Sequence, residues 1–155
     1  MKDLIRRKSK NEPSNGRHGL FNKKPRAPGT TEECVESIKR CHRAIISKSG
    51  EAREEGLEDA ILNEFPLQSI CEMCCHKDDP FERAAFALEY VAVFHPFAEG
   101  NKRTAVAVCE YMLRLGGYTL PDTRATYEFV RDVASGGVER EQIEAWLRKH
   151  AVSSP

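Results

Sequence analysis

No stretch of this sequence stays apolar long enough to cross a membrane. Its longest hydrophobic segments are interrupted by Glu89, His95, Glu110 and Arg114, far short of the ~20 apolar residues a spanning helix needs. No apolar run follows the basic N-terminus, so a secretory signal is not expected. Net charge is also missing, with 24 Lys and Arg against 24 Asp and Glu. No internal repeat and no convincing pair of strands appears, which argues against repeat and all-β architectures. These absences leave a soluble cytoplasmic protein as the expectation. In that compartment Cys34, Cys41, Cys71, Cys74, Cys75 and Cys109 are expected as reduced thiols.

What is present suits one folded domain. The chain has 155 residues, 40% of them hydrophobic and 31% charged, a globular composition with room for one sizeable core. The charge is unevenly spread. Residues 1–29 carry nine Lys or Arg against Asp3 and Glu12, and have almost no apolar periodicity. They read as a basic, disordered N-terminal tail. It is either a solubilising extension laid along the acidic remainder or, less in keeping with its composition, an arm for nucleic acid. The folded domain is expected over residues 30–150, as an all-α bundle of six to eight helices.

The helices can be placed from their punctuation. Thr30 or Thr31 opens the folded domain, and Thr31 before Glu32 and Glu33 reads as the N-cap of a first helix that turns Val35, Ile38, Cys41, His42, Ile45 and Ile46 to one face. Leu57–Phe65 is expected as a short helix that Pro66 interrupts, and Leu67–His76 as the next. Asp79-Pro80 caps a strongly apolar helix running to Phe94. A second such helix runs from Thr104 to Leu115 and ends at Gly116-Gly117. Thr123–Ala134 and Glu139–Lys149 complete the set, with Ile143, Trp146 and Leu147 inward. Helices without a polar face belong in the middle of a bundle, so the central pair is the one ending at Phe94 and the one starting near Thr104.

Between that central pair lies His95-Pro96-Phe97-Ala98-Glu99-Gly100-Asn101-Lys102-Arg103-Thr104. Pro96 disfavours helix at His95, so the first rod stops there. Gly100–Arg103 then forms the first turn of the second rod, whose free N–H groups and partial positive charge suit a phosphate. Lys102 adds a point charge and Arg103 a bidentate grip. His95 is a candidate general base, since imidazole is available in neutral form near pH 7. Glu99 is a hard oxygen ligand suited to Mg²⁺ shared with nucleotide phosphates. Asn101 either holds the turn or donates to a phosphate oxygen. This inventory is the one that phosphoryl transfer requires. A second constellation, Cys71-x-x-Cys74-Cys75-His76 with Cys41-His42, has some zinc-like spacing, but its cysteines fall on an inward helix face and read better as core.

The decapeptide resembles the signature of the Fic/Doc family: a histidine, a phenylalanine, an acidic residue, Gly-Asn and a basic residue in order. The resemblance covers roughly residues 31–150. It implies an all-helical fold with this loop between its two central helices, and a nucleotide-dependent transferase that modifies proteins. In the Fic branch, AMP passes from ATP to a protein hydroxyl; by resemblance His95 is the base, Glu99 the magnesium ligand, and Asn101 and Arg103 bind phosphates. Two positions depart from that branch. Lys102 stands where a second glycine occurs and Val106 where a second arginine occurs. Lys102 with Arg103-Thr104-Ala105 is closer to the death-on-curing (Doc) toxins, which transfer the γ-phosphate of ATP to elongation factor Tu. A flap that positions the target would fall at about Ser49–Leu57. The inhibitory Ser/Thr-x-x-x-Glu-Gly pattern is not matched, because Glu51 precedes Glu55-Gly56, so a separate antitoxin is the implied restraint.

The expectation is therefore a Doc-like kinase using ATP and Mg²⁺. A Fic-type AMP transferase is the alternative, and a non-catalytic regulatory or nucleic-acid-binding protein working through its tail is the reading of another class.

Overall fold

Six α-helices make up most of the described chain. The structure is a computed structural model and describes residues 20–21, 23–48, 56–57 and 60–155, apart from the Cys75 side chain. In chain order the helices are α1 (Thr31–Ser47), α2 (Phe65–His76), α3 (Pro80–Phe94), α4 (Asn101–Leu115), α5 (Arg124–Ala134) and α6 (Arg140–His150). The expected all-α bundle is therefore the fold. The one ladder beyond it is two residues long on each side: β1 (Tyr118–Thr119) pairs antiparallel with β2 (Val152–Ser153). A strand that short has no alternation for a sequence to reveal.

The core lies where the two most apolar helices pack on each other. Ala84, Ala85, Ala87, Leu88, Val91 and Ala92 of α3 are buried against Ala105, Val106, Ala107, Val108 and Cys109 of α4. Small residues on both sides let the two axes come close. The pair is closed at one end by the loop 95–100. At the other end α4 stops at Gly116, where an added Cβ would lie 2.5 Å from Pro80 at the start of α3. Around this pair, α1 and α2 cover one side, and α5 and α6 pack on α3. The one acid in the middle of α4, Glu110, is satisfied: Arg114 bonds it at 3.2 Å and the Thr119 hydroxyl donates to it at 2.8 Å.

Four expectations need correction. The residue that caps α1 is Thr30, whose hydroxyl accepts from the Glu33 N–H at 3.1 Å, not Thr31. Leu57–Phe65 is not one continuous helix: Ala60–Glu64 is non-helical, with Ile61 bridged to Phe97, while Glu58 and Asp59 lie outside the described residues. The helical spacing of Leu57, Ile61 and Phe65 misled because the backbone of Ile61 is claimed by a distant partner. Pro66 does not interrupt a helix but sits in the first turn of α2, where no N–H is needed. Finally, the cysteines are not all thiols: Cys34 of α1 is joined to Cys71 of α2, with Cα atoms 5.6 Å apart.

Part of the N-terminal segment is placed against the domain. Leu20 and Phe21 pack on the core edge, Arg114 lies over the Phe21 ring, and the Tyr111 hydroxyl donates to the Arg26 carbonyl at 3.4 Å. Residues 1–19 and 22 lie outside the described residues. No helix among the described residues is long and apolar enough to cross a membrane.

Two stability outcomes follow. The Cys34–Cys71 bond spans 37 residues of sequence. By the chain-entropy model, reducing agent should cost the protein about 3–4 kcal/mol, a loss matched by Cys34→Ser and not increased by treating that variant. Equal denaturant midpoints with and without reductant would count against the bond. Asp79 caps α3 by accepting from the Phe81 N–H at 2.8 Å, and it pairs with Arg148. Burial raises the Asp79 pKa, but the Arg148 guanidinium and the Phe81 and Glu82 amides outweigh it and hold the carboxyl below its usual range. Its folded pKa lies below the unfolded one, so its contribution is present above about pH 4 and fades as pH falls through the folded value. The acid limb of a stability–pH curve should flatten in Asp79→Asn.

Candidate active site

The loop between α3 and α4 is shaped by two left-handed residues. His95 ends α3 at φ 47°, and Gly100 opens α4 at φ 76°. A non-glycine residue in that region costs roughly 1 kcal/mol, so His95 holds its conformation only because its surroundings demand it. Pro96 supplies part of that demand by barring helix at His95. Two residues on, Phe97 is buried and both of its backbone groups are bonded by Asn101.

The Asn101 side chain clasps the loop from within. It accepts from the Phe97 N–H at 3.0 Å and donates to the Phe97 carbonyl at 2.8 Å. On one flank the segment 60–63 pairs with the loop. Leu62 N–H donates to the Pro96 carbonyl at 2.8 Å, and Ala98 N–H donates to the Ala60 carbonyl at 2.9 Å. From below, α1 contributes His42 and Ile46, one turn apart. The His42 ring stacks on Phe97 with centroids 3.8 Å apart and planes 5° from parallel, and its Nε2 lies 3.0 Å from the Glu99 carbonyl oxygen. Ile46 leaves no room above it: a Cβ on Gly100 would fall 2.7 Å from its Cδ1.

On this frame the candidate residues are distributed as follows. His95, Glu99 and Lys102 are exposed, while Gly100, Asn101 and Arg103 are half-buried. Among the described residues, the side chains of His95, Glu99 and Lys102 make no hydrogen bond or ion pair. The Arg103 guanidinium folds back over the N-terminus of α4, with Nη2 3.6 Å from the point a Gly100 Cβ would occupy. That N-terminus has no side-chain cap, whereas Thr30, Asp79 and Thr123 cap α1, α3 and α5 through their side chains. The amides of Asn101 and its successors are therefore open to an anion beside a guanidinium. Asn101 is the residue whose side chain is committed to the turn, the first of the two roles considered for it. Val106, at the position of the family's second arginine, is fully buried, so no cation could reach the loop from there without leaving the core.

Among the described residues the zinc-like constellation does not assemble. Cys71 is bonded to Cys34, His42 is turned to Glu99, and burial pushes the Cys41 thiol up to about 12, far from the thiolate that zinc needs. The Cys75 side chain lies outside the described residues. Among the described residues the group that could gather a cation is Asp79, Glu82 and Glu144. It lies at the opposite end of α3 from the loop and is already met by Arg148 and Lys77.

Comparison with known proteins agrees with this architecture. The model of the Fic/DOC family matches residues 32–113, from α1 through the loop and most of α4. The chain belongs to the Fic/DOC family. It is also similar to a protein adenylyltransferase, fic-1, of Caenorhabditis briggsae, with 27% identity over 143 residues, covering 79% of this chain and 28% of the relative. The chain thus spans just over a quarter of the length of that curated relative.

Sequence reasoning placed the loop between the right helices but missed what holds it. His42 read as one inward residue among six on α1, and only its distance from Glu99 in space distinguishes it. The flap expected at Ser49–Leu57 lies outside the described residues except for Gly56 and Leu57; the pairing segment that is described begins at Ala60.

The left-handed turn at Gly100 allows a direct check. Gly100→Ala combines positive φ with an overlap on Ile46 and should cost about 1–2 kcal/mol, most of it from the backbone conformation. Phe97→Ala, which empties a buried site, should cost about 3–5 kcal/mol. Thermal or denaturant melts read both. A Gly100→Ala protein as stable as the parent would mean that the turn relaxes without strain.

Proposed function

We propose that this chain is an ATP-dependent transferase that passes a phosphate group to a hydroxyl of another protein. The observation that carries the reading is the uncapped N-terminus of α4, flanked by Arg103 and Lys102, with an exposed histidine at the other end of the same short loop. Open helix amides and two cations would hold a triphosphate. His95 would take the proton from the target hydroxyl as its oxygen bonds to phosphorus and the bond to the leaving nucleotide breaks. Asn101 contributes by fixing the loop, and any contact it makes with phosphate comes from its backbone N–H.

Glu99 fits a magnesium site on the chemistry of its donor. It is a hard carboxylate, exposed on the loop, and pairs with no cation among the described residues. Magnesium bound by Glu99 and the nucleotide phosphates would offset phosphate charge.

Lys102 and Val106 favour the γ-phosphate as the group moved, as in the Doc branch. A lysine occupies the place of a glycine around which a backbone could wrap an α-phosphate, and the apolar burial of Val106 removes a second arginine from that side. The second reading, transfer of AMP, is favoured by the adenylyltransferase of Caenorhabditis briggsae to which the chain is similar. A protein target suits either reading. Of the four large hydrophobics exposed among the described residues, Leu62 lies in the segment that pairs with the loop, Phe65 follows that segment, and Phe94 precedes His95. Such an apolar rim fits another protein's surface better than a small polar substrate. A translation elongation factor is the proposed target class and a separate antitoxin the proposed restraint. A non-catalytic role exercised through the N-terminal tail has no support from the described residues.

Incubation of the chain and a candidate target with ATP labelled at either the α or the γ position tests this. Label on the target from γ alone supports phosphate transfer, and label from α supports AMP transfer. His95→Ala should lower the rate by about 10²-fold or more while the melting curve is kept. No label from either position, with target and Mg²⁺ present, would sink the enzyme reading.

A further inference from the structure

The residue beneath the loop is a histidine that the proposed chemistry does not use. His42 is 1% exposed, and its imidazole edge meets a backbone carbonyl, that of Glu99, 57 residues along the chain. A carbonyl oxygen can only accept, so the contact requires a proton on Nε2. The face of the ring lies flat on Phe97, which holds the plane of the imidazole in line with that carbonyl.

The consequence for the site comes from peptide geometry. The Glu99–Gly100 bond is trans, as are all those described, and in a trans peptide the C=O and the N–H point in opposite directions. Pulling the Glu99 carbonyl inward to His42 turns the Gly100 N–H outward, away from α1. Gly100 is the N-cap of α4, and among the described residues its N–H meets no acceptor. Resting on the function proposed above, we propose that His42 is a positioning residue: its Nε2–H fixes the Glu99–Gly100 peptide so that the Gly100 amide joins the phosphate-binding N-terminus of α4. The same peptide carries the Glu99 side chain, so one hydrogen bond sets the direction of both an anion donor and the proposed metal ligand. Phe97 is the platform that keeps the imidazole in plane.

The arrangement also explains why this place suits a histidine. A phenylalanine would keep the stack but leave the Glu99 carbonyl without a donor. A lysine could donate but would bury a charge. Imidazole offers a flat face and an N–H in the plane of that face together.

Nuclear magnetic resonance of the full chain tests the geometry without reference to turnover. The ¹⁵N shifts of the His42 imidazole should report the proton on Nε2. Titration with ATP and Mg²⁺ should move the Gly100 amide together with those of Asn101–Arg103. An Nε2 without a proton, or a Gly100 amide that stays still while its neighbours move, overturns the proposal. If no amide of that turn moves, the proposal and the nucleotide reading fall together.

Kinetics supply the second arm. His42→Leu should lower kcat by about 10-fold or more through misplacement of the site. His42→Gln, which keeps a donor of similar reach, should recover most of that loss at an unchanged melting temperature. His42→Leu with parental kcat overturns the proposal. If the parent transfers nothing from ATP, the functional reading fails, while the Nε2 proton and the Gly100 shift still decide the role of His42.

Discussion

The stack of His42 on Phe97 is the contact on which the loop geometry depends. A loop joining two buried antiparallel helices has few ways to turn, and most would leave its peptide groups pointing at random. Here one aromatic side chain is driven into the core by the hydrophobic effect, and the polar contacts organise themselves around it. Asn101 binds both backbone groups of Phe97, Ile61 bridges to it, and His42 covers its face while holding the next peptide but one. Because the residues left exposed carry the candidate chemistry, stability and function are divided between alternate members of one decapeptide. Phe97 and Asn101 hold the loop, while His95, Glu99 and Lys102 face outward.

That division explains how much could be read from the sequence. The positions of α3 and α4, and the loop between them, were legible because their signals are local. Asp79-Pro80 starts one helix, Pro96 ends it at His95, Gly100 starts the next, and Gly116 ends that. The all-α class and the centrality of this pair followed from apolar residues on every side of both helices. The choice between two roles for Asn101 was not legible, since an amide next to a glycine suits either a turn or a phosphate. Only the two bonds to Phe97 distinguish them.

What escaped the sequence is what joins segments far apart in the chain. The apolar residues at 57, 61 and 65 have helical spacing, yet Ala60–Asn63 is not helical because Pro96 and Ala98 compete for its backbone. Cys34 and Cys71 lie on separate helices, and nothing in either segment says they face each other. The strand pair near the C-terminus is too short to show a period of two. In each case a tertiary partner overrode or supplied the local preference.

The bond from His42 to Glu99 spans 57 residues, and this gives the site a particular place in the assembly of the molecule. A contact of such high sequence separation closes a long loop, and the entropy cost of that closure is met by the packing of the intervening chain. Helix formation in α3 and α4 alone would yield a hairpin with the decapeptide at its tip, yet with the Glu99–Gly100 peptide free to rotate. The site is therefore a product of the finished tertiary fold, and a newly made or partly unfolded molecule would carry the motif without its arranged form.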